Sequence, residues 1–185
     1  MSATPERDMT LVPGSPSPVG DGAGGVRSLS HYQDERAIQS LLHTARTIAI
    51  VGLSPNELRP SNFVGFYLQR HGYRIVPVNP REQEILGEVS YPSLSAIPFP
   101  VDVVDVFRQP DAVPAIASEA VQIGAKALWL QFGVISYEGA EIAERGGLTV
   151  VMDRCVKVEH ARHLGRMHLY GLNTGRIDAR RSREE

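Results

Sequence analysis

The chain has 185 residues, 42% of them hydrophobic and 22% charged, with a formal net charge of -2. That composition fits one soluble domain with an ordinary core and gives no support to general nucleic-acid or anionic-membrane binding. No apolar run approaches the ~20 residues of a spanning helix, no signal-peptide pattern opens the chain, and the single Cys155 has no internal disulfide partner, so a soluble protein of the reducing cytoplasm is expected.

Residues 1–30 are rich in Gly, Pro and Ser and poor in large apolar side chains, so they are expected to form a disordered tail. The folded part is expected to start near Asp34 with an amphipathic helix carrying Ile38, Leu41 and Leu42. Thr47–Val51 is a short β-branched run that suits a strand buried on both faces. Gly52 ends it, a Ser-, Pro- and Asn-containing turn follows, and a helix is expected over 61–70, stopped by Gly72. Arg74–Val78 reads as the second strand, closed by Asn79 and Pro80. Residues 81–100 are less regular, with a short strand near 89–91 and one helical turn after Pro92.

The remaining pattern alternates. Strands are expected over 101–107, 127–132 and 148–152, with helices over 111–123, 136–145 and 156–163 between and after them. Residues 173–185 form a charged tail. This alternation predicts an α/β fold: a Rossmann-type open, mainly parallel sheet with helices on both faces, in a single domain over about 34–165. Ligands of such sheets bind beyond the carboxyl ends of the strands, which singles out the loops 52–61, 79–81, 108–110, 133 onward and 153–155.

The strand–turn–helix of 47–62 is the arrangement that seats an anion on the first backbone N–H groups of a helix. A dinucleotide fingerprint needs three glycines and an acid at the end of the second strand. Here Gly52 stands alone, Ser54 and Glu57 occupy the other glycine places, and the second strand runs into Asn79, Pro80 and Arg81. The missing carboxylate disfavours NAD, while Arg59 and Arg81 favour a ligand carrying extra phosphate, leaving NADP or coenzyme A. No P-loop is present. Trp129 reads as a core residue within its strand.

The blocks IAIVGLSPNELRPSNFVGFYLQRHGYRIVPVNP, ILGEVSYPSLSAIP, PVDVVDVFRQPDAVP, GAKALWLQFGV and GLTVVMDRCVKVEH resemble, in order, the stand-alone CoA-binding protein family. That family is similar to the CoA-binding amino-terminal domain of the succinyl-CoA synthetase alpha subunit. The resemblance implies a Rossmann-type domain that binds coenzyme A or a CoA thioester. It implies a pyrophosphate loop made by Gly52, Leu53, Ser54, Arg59, Pro60 and Ser61, and an adenosine-lining segment Val78, Asn79 and Pro80 followed by Arg81. Phe107 and Arg108, with Gln131 and Gly133, match the loops flanking the rest of the cofactor. Arg108 has the alternative of pairing with Asp111.

No catalytic residues and no metal ligands are assigned. The resemblance ends near His163, so the phosphohistidine domain of a synthetase has no counterpart in the matched stretch. His160 and His163 are read as exposed residues of a terminal helix rather than a metal pair. Cys155, between Arg154 and Lys157, is read chiefly as a small buried residue; the sharper hypothesis is a thiol of lowered pKa that forms a mixed disulfide with CoA. An NADP-dependent or acyl-CoA-handling enzyme and a CoA-responsive regulatory subunit are the alternative functions, and the protein partner is left open.

Overall fold

Ordered structure begins before Asp34. The computed structural model describes residues 28–165, so the expectations for the two tails fall almost wholly outside the described residues. A 3-10 turn, Leu29–Gln33, buries Tyr32 and precedes α1 (Glu35–Thr44), whose N-cap Asp34 accepts from the Ala37 N–H at 2.7 Å. Then come β1 (Thr47–Val51), α2 (Pro60–Arg70), β2 (Arg74–Val78), the two-residue strands β3 (Glu84–Ile85) and β4 (Glu88–Val89), and β5 (Val103–Val106). The chain closes with α3 (Val113–Gln122), β6 (Ala127–Leu130), α4 (Tyr137–Arg145), β7 (Thr149–Val151) and α5 (Val156–His163).

Five strands form one parallel sheet in the order β2-β1-β5-β6-β7. The short strand expected near 89–91 is instead an antiparallel hairpin, β3 with β4, joined to the main sheet by a bridge between Val78 and Tyr91. The strands expected over 101–107, 127–132 and 148–152 are each shorter: Val101, Asp102 and Leu148 precede their strands, and Phe107, Gln131, Phe132 and Met152 lie in the loops that follow.

Period-two alternation divides the core. Ile48, Ile50, Ile75, Val103 and Trp129 face Ile38, Leu42, Val64, Leu68 and Val156 of α1, α2 and α5. Ala49, Val76, Val104, Val106, Leu128 and Leu130 face Val113, Ala117, Ala120, Ala140 and Ala143 of α3 and α4. Alanines let α3 and α4 approach closely; at Gly139 an added Cβ would stand 2.5 Å from Val113 Cγ1. Both sheet faces are therefore covered, and the C-terminal ends of β1, β2, β5 and β6 open onto one edge.

The order reverses between β1, whose crossover leads to β2 on one side, and β5, which lies on the other. The loops at that switch point hold the site.

Candidate functional site

Gly52 is built into the turn after β1 for two physical reasons. Its φ is +88°, a left-handed conformation that strains any residue with a Cβ, and an added Cβ would stand 2.9 Å from both the Phe107 carbonyl oxygen and Arg108 Cδ. Its N–H donates to the Val78 carbonyl at 3.0 Å, tying the ends of β1 and β2 together.

The following loop is pinned by side chains that capture its backbone. Ser61 Oγ accepts from the Ser54 N–H at 3.1 Å, and Asn62 Nδ2 donates to the Ser54 carbonyl at 2.8 Å. Asn79 Nδ2 donates to the Leu53 carbonyl at 2.9 Å, while Asn79 Oδ1 accepts from the Arg81 N–H. Arg59 is the N-cap of α2 and Pro60 occupies its first turn; no side chain caps this end. The helix start therefore faces the cleft with its partial positive charge unmasked by a capping oxygen.

Three cavities share this edge: one of about 490 Å³ lined by Phe107, Arg108, Gln109, Asp111 and Ala112, and two that take in most of the residues named from sequence. The larger of these two, about 600 Å³, is lined by Gly52, Ser54, Arg59, Pro60, Ser61, Phe107, Arg108, Gln131 and Gly133, with Val64, Phe132, Val134 and Cys155 adding apolar wall. The smaller, about 140 Å³, is lined by Gly52, Val78, Asn79, Pro80 and Arg108, together with Leu94, Ile116 and Glu119. Gly52 and Arg108 belong to both, so the cavities form one bent groove with a waist at the β1 turn. Of the residues named from sequence, two stand outside it. The Leu53 side chain is buried in the core and serves the loop through its carbonyl, and Arg81 projects exposed from the turn after β2.

The larger cavity carries positive charge only. Its charged lining residues are Arg59 and Arg108, and no carboxylate lines it. Among the described residues Arg108 makes no ion pair with Asp111, and Arg59 has no acidic partner either. Two arginines beside a helix N-terminus, with no internal carboxylate to neutralise them, make a seat for an anion with more than one charge.

The sequence reading missed Asp105. It lies in β5, wholly buried, and Gln131 Nε2 donates to its Oδ1 at 2.7 Å while Oδ2 has no hydrogen-bond partner. Burial pushes its carboxyl up to about 7, against the pull of the hydrogen bonds from Gln131 and the Val106 N–H. The signal was available: Asp105 is a carboxylate inside the otherwise apolar run 103–107.

Residues 46–161 match the family described as CoA binding domain. The chain belongs to that family. It is 40% identical over 124 residues to the uncharacterized protein YneT of Bacillus subtilis (strain 168), covering 67% of this chain and 92% of that one. A solved hypothetical protein from Pyrococcus horikoshii OT3 superposes with a TM-score of 0.70 at 39% identity, covering 71% of this chain and 93% of that one. The acetate–CoA ligase [ADP-forming] I of Archaeoglobus fulgidus is 28% identical over 121 residues, which are 60% of this chain and 18% of the ligase. The CoA binding domain thus occurs here and as a small part of that ligase, in keeping with a succinyl-CoA synthetase-like domain.

At the edges of this CoA-binding domain Cys155 is buried, as its chief reading expects, while its sharper hypothesis and the reading of His160 are corrected. Cys155 does line the larger cavity, but its thiol is pushed up, not down: burial raises it, and Asp105 adds to the effect against backbone hydrogen bonds from Val158 and Lys157. Of the cations invoked for activation, the Lys157 charge pulls the thiol down too weakly to offset burial, its ammonium lying over the Phe63 ring at 4.3 Å, and Arg154 is engaged with Gln33 and Glu159. His160 is not an exposed residue. It packs edge-on against Tyr67 and Tyr73, its Nδ1 3.1 Å from the Tyr67 hydroxyl, and His163 sits beside Glu159 at 3.5 Å. Among the described residues no cluster of three or more His, Cys, Asp or Glu could hold a metal ion, and no helix is long and apolar enough to cross a membrane. Trp129 is a core residue whose Nε1–H donates to the Arg154 carbonyl at 2.7 Å.

Proposed function

We propose that this CoA-binding-domain protein binds coenzyme A or a CoA thioester non-covalently in the bent groove. The observation that carries the reading is the junction of two unequal cavities at Gly52, where Arg108 and the start of α2 meet. A nucleotide with a long arm has the matching shape: two different ends joined by a diphosphate. In this reading the diphosphate lies over the waist, held by backbone N–H groups of the pinned loop, Arg59 and Arg108. The adenosine uses the small cavity beside Val78, Asn79 and Pro80. The arm enters the large cavity toward Phe107, Gln131 and Gly133. Arg81, exposed at the adenosine end, is placed to meet the ribose phosphate that distinguishes CoA from dephospho-CoA.

Asn79 supports CoA over NAD, because it stands where an acidic residue would hold unmodified ribose hydroxyls and its side chain is spent on the Leu53 carbonyl and the Arg81 N–H. Isothermal titration with CoA, dephospho-CoA, NADPH and NADH tests the proposal. CoA is expected to bind and NADH to give no heat; NADPH binding without CoA binding would overturn it. Arg81→Ala should weaken CoA more than dephospho-CoA, and equal weakening would remove Arg81 from the phosphate site.

A further inference from the structure

Asp105 has no structural reason to be a carboxylate. It occupies a strand position between Ile50 and Trp129, on the sheet face whose other residues are apolar, and none of its neighbours neutralises it. Leaving a carboxylate there with one oxygen unpartnered costs stability that an apolar residue would not. What it does is hold Gln131. An ionised carboxylate can only accept, so the Gln131 amide must turn its NH2 inward, and the 2.7 Å bond from Nε2 to Oδ1 has that orientation. Gln131 is itself buried and lines the larger cavity. With its nitrogen committed to Asp105, the amide oxygen makes no hydrogen bond within the described protein and is left as an acceptor on the cavity side.

We infer that Asp105 is a positioning residue that fixes Gln131 with its amide oxygen toward the cavity, so that this wall selects a ligand arm bearing N–H donors. The inference rests on the CoA reading and deepens it: the pantetheine arm carries amide N–H groups, and Gln131 Oε1 takes one of them. The remaining groups around Asp105 leave this arrangement undisturbed. From β1 and β6 the residues paired with it are Ile50 and Trp129; α2 presents Val64 and Leu68 to this face; the turn before α5 brings the Cys155 thiol. The charged residues of the α5 side pair among themselves, Glu159 with Arg154 and Arg162. Protonating Asp105 would give the carboxyl a donor as well as an acceptor, so it would no longer impose a single orientation on the Gln131 amide.

The test compares CoA with phosphoadenosine diphosphate, the nucleotide half of CoA without its arm, by calorimetry on the full chain. Asp105→Asn removes the fixed polarity without changing shape, and Gln131→Met removes the acceptor. Both are expected to weaken CoA about tenfold, the value of one hydrogen bond, and to leave the nucleotide half within about twofold of wild type. Wild-type affinity for CoA should also fall as pH is lowered through about 7, where burial holds the Asp105 carboxyl, while Asp105→Asn shows no such step. Equal weakening of both ligands, or unchanged CoA affinity in either variant, would overturn the inference. Wild-type protein that binds CoA no better than the nucleotide half overturns it while sparing the CoA reading; wild-type protein that binds neither overturns both.

Discussion

Gly52 and Gly72 have the same φ of +88° and opposite surroundings. An added Cβ at Gly72 meets nothing within 4 Å, whereas at Gly52 it meets the Phe107 carbonyl and the Arg108 stem at 2.9 Å. Each alanine substitution carries the left-handed backbone penalty, about 1–2 kcal/mol. Only Gly52→Ala must also displace Arg108 from the waist of the groove. Urea denaturation is therefore expected to show destabilisation in both variants, and calorimetry to show lost CoA affinity in Gly52→Ala alone. Equal affinity in the two would mean that the close approach at Gly52 has no part in binding. The motif residue recognised from sequence thus acquires a second cause: besides permitting the turn, it makes room for a cation from a neighbouring strand end.

At the scale of elements, the start of α2 works as one unit with the loop before it. Ser61 and Asn62, both buried in the first turn, hold the Ser54 N–H and carbonyl. Asn62→Ala would orphan that carbonyl in a partly buried site, at a cost of about 1–3 kcal/mol, and would release the loop that carries the backbone donors. Stability and CoA affinity should fall together; a loss of stability with unchanged affinity would show that loop order does not matter to the site. This strand–turn–helix was the most legible part of the sequence, because β-branched runs, a lone glycine and a proline at a helix start each have a local cause. Thr47–Val51 and Arg74–Val78 match the expected strands, as α5 does its expected helix. The β3–β4 hairpin was only partly legible, since two-residue strands have no periodicity and depend on distant support: Gln69 of α2 donates to the Leu86 carbonyl and to Glu88. Asp105 and Gln131 were illegible as a pair for the same reason. Their 2.7 Å bond spans 26 residues of sequence and exists only once β5 and β6 lie side by side. The burial of His160 likewise depends on α2 and α5 packing together, which no local pattern announces.

For the molecule as a whole, two buried groups on the same side of the sheet pull stability in opposite directions with pH. Burial pushes the Asp105 carboxyl up to about 7, so between its ordinary value near ~4 and 7 the native state holds a proton that the unfolded chain has released. Stability from this source falls as pH rises through that window. Burial, with His71 adding to it, holds His160 down to about 4, so from there to the ordinary value near ~6.5 the unfolded chain holds a proton that the native state lacks. Stability from this source rises with pH over nearly the same window. Each slope approaches about 1.4 kcal/mol per pH unit, and the two oppose. Asp102 acts lower: burial raises its carboxyl, but the hydrogen bonds from Lys126 and the Thr47 and Arg46 N–H groups outweigh that, so its contribution is lost only as the solution turns more acid. Urea unfolding followed by the fluorescence of Trp129, the single tryptophan and a buried one, can separate these sources. Wild type is expected to be nearly level between about pH 4.5 and 6. Asp105→Asn should grow more stable as pH rises through that range, and His160→Phe should grow less stable. Profiles of the same slope in all three proteins would refute the assignment, whereas opposite slopes would show that the proton held by buried Asp105 is balanced, in this range, by the one that buried His160 on the helix beyond the site gives up.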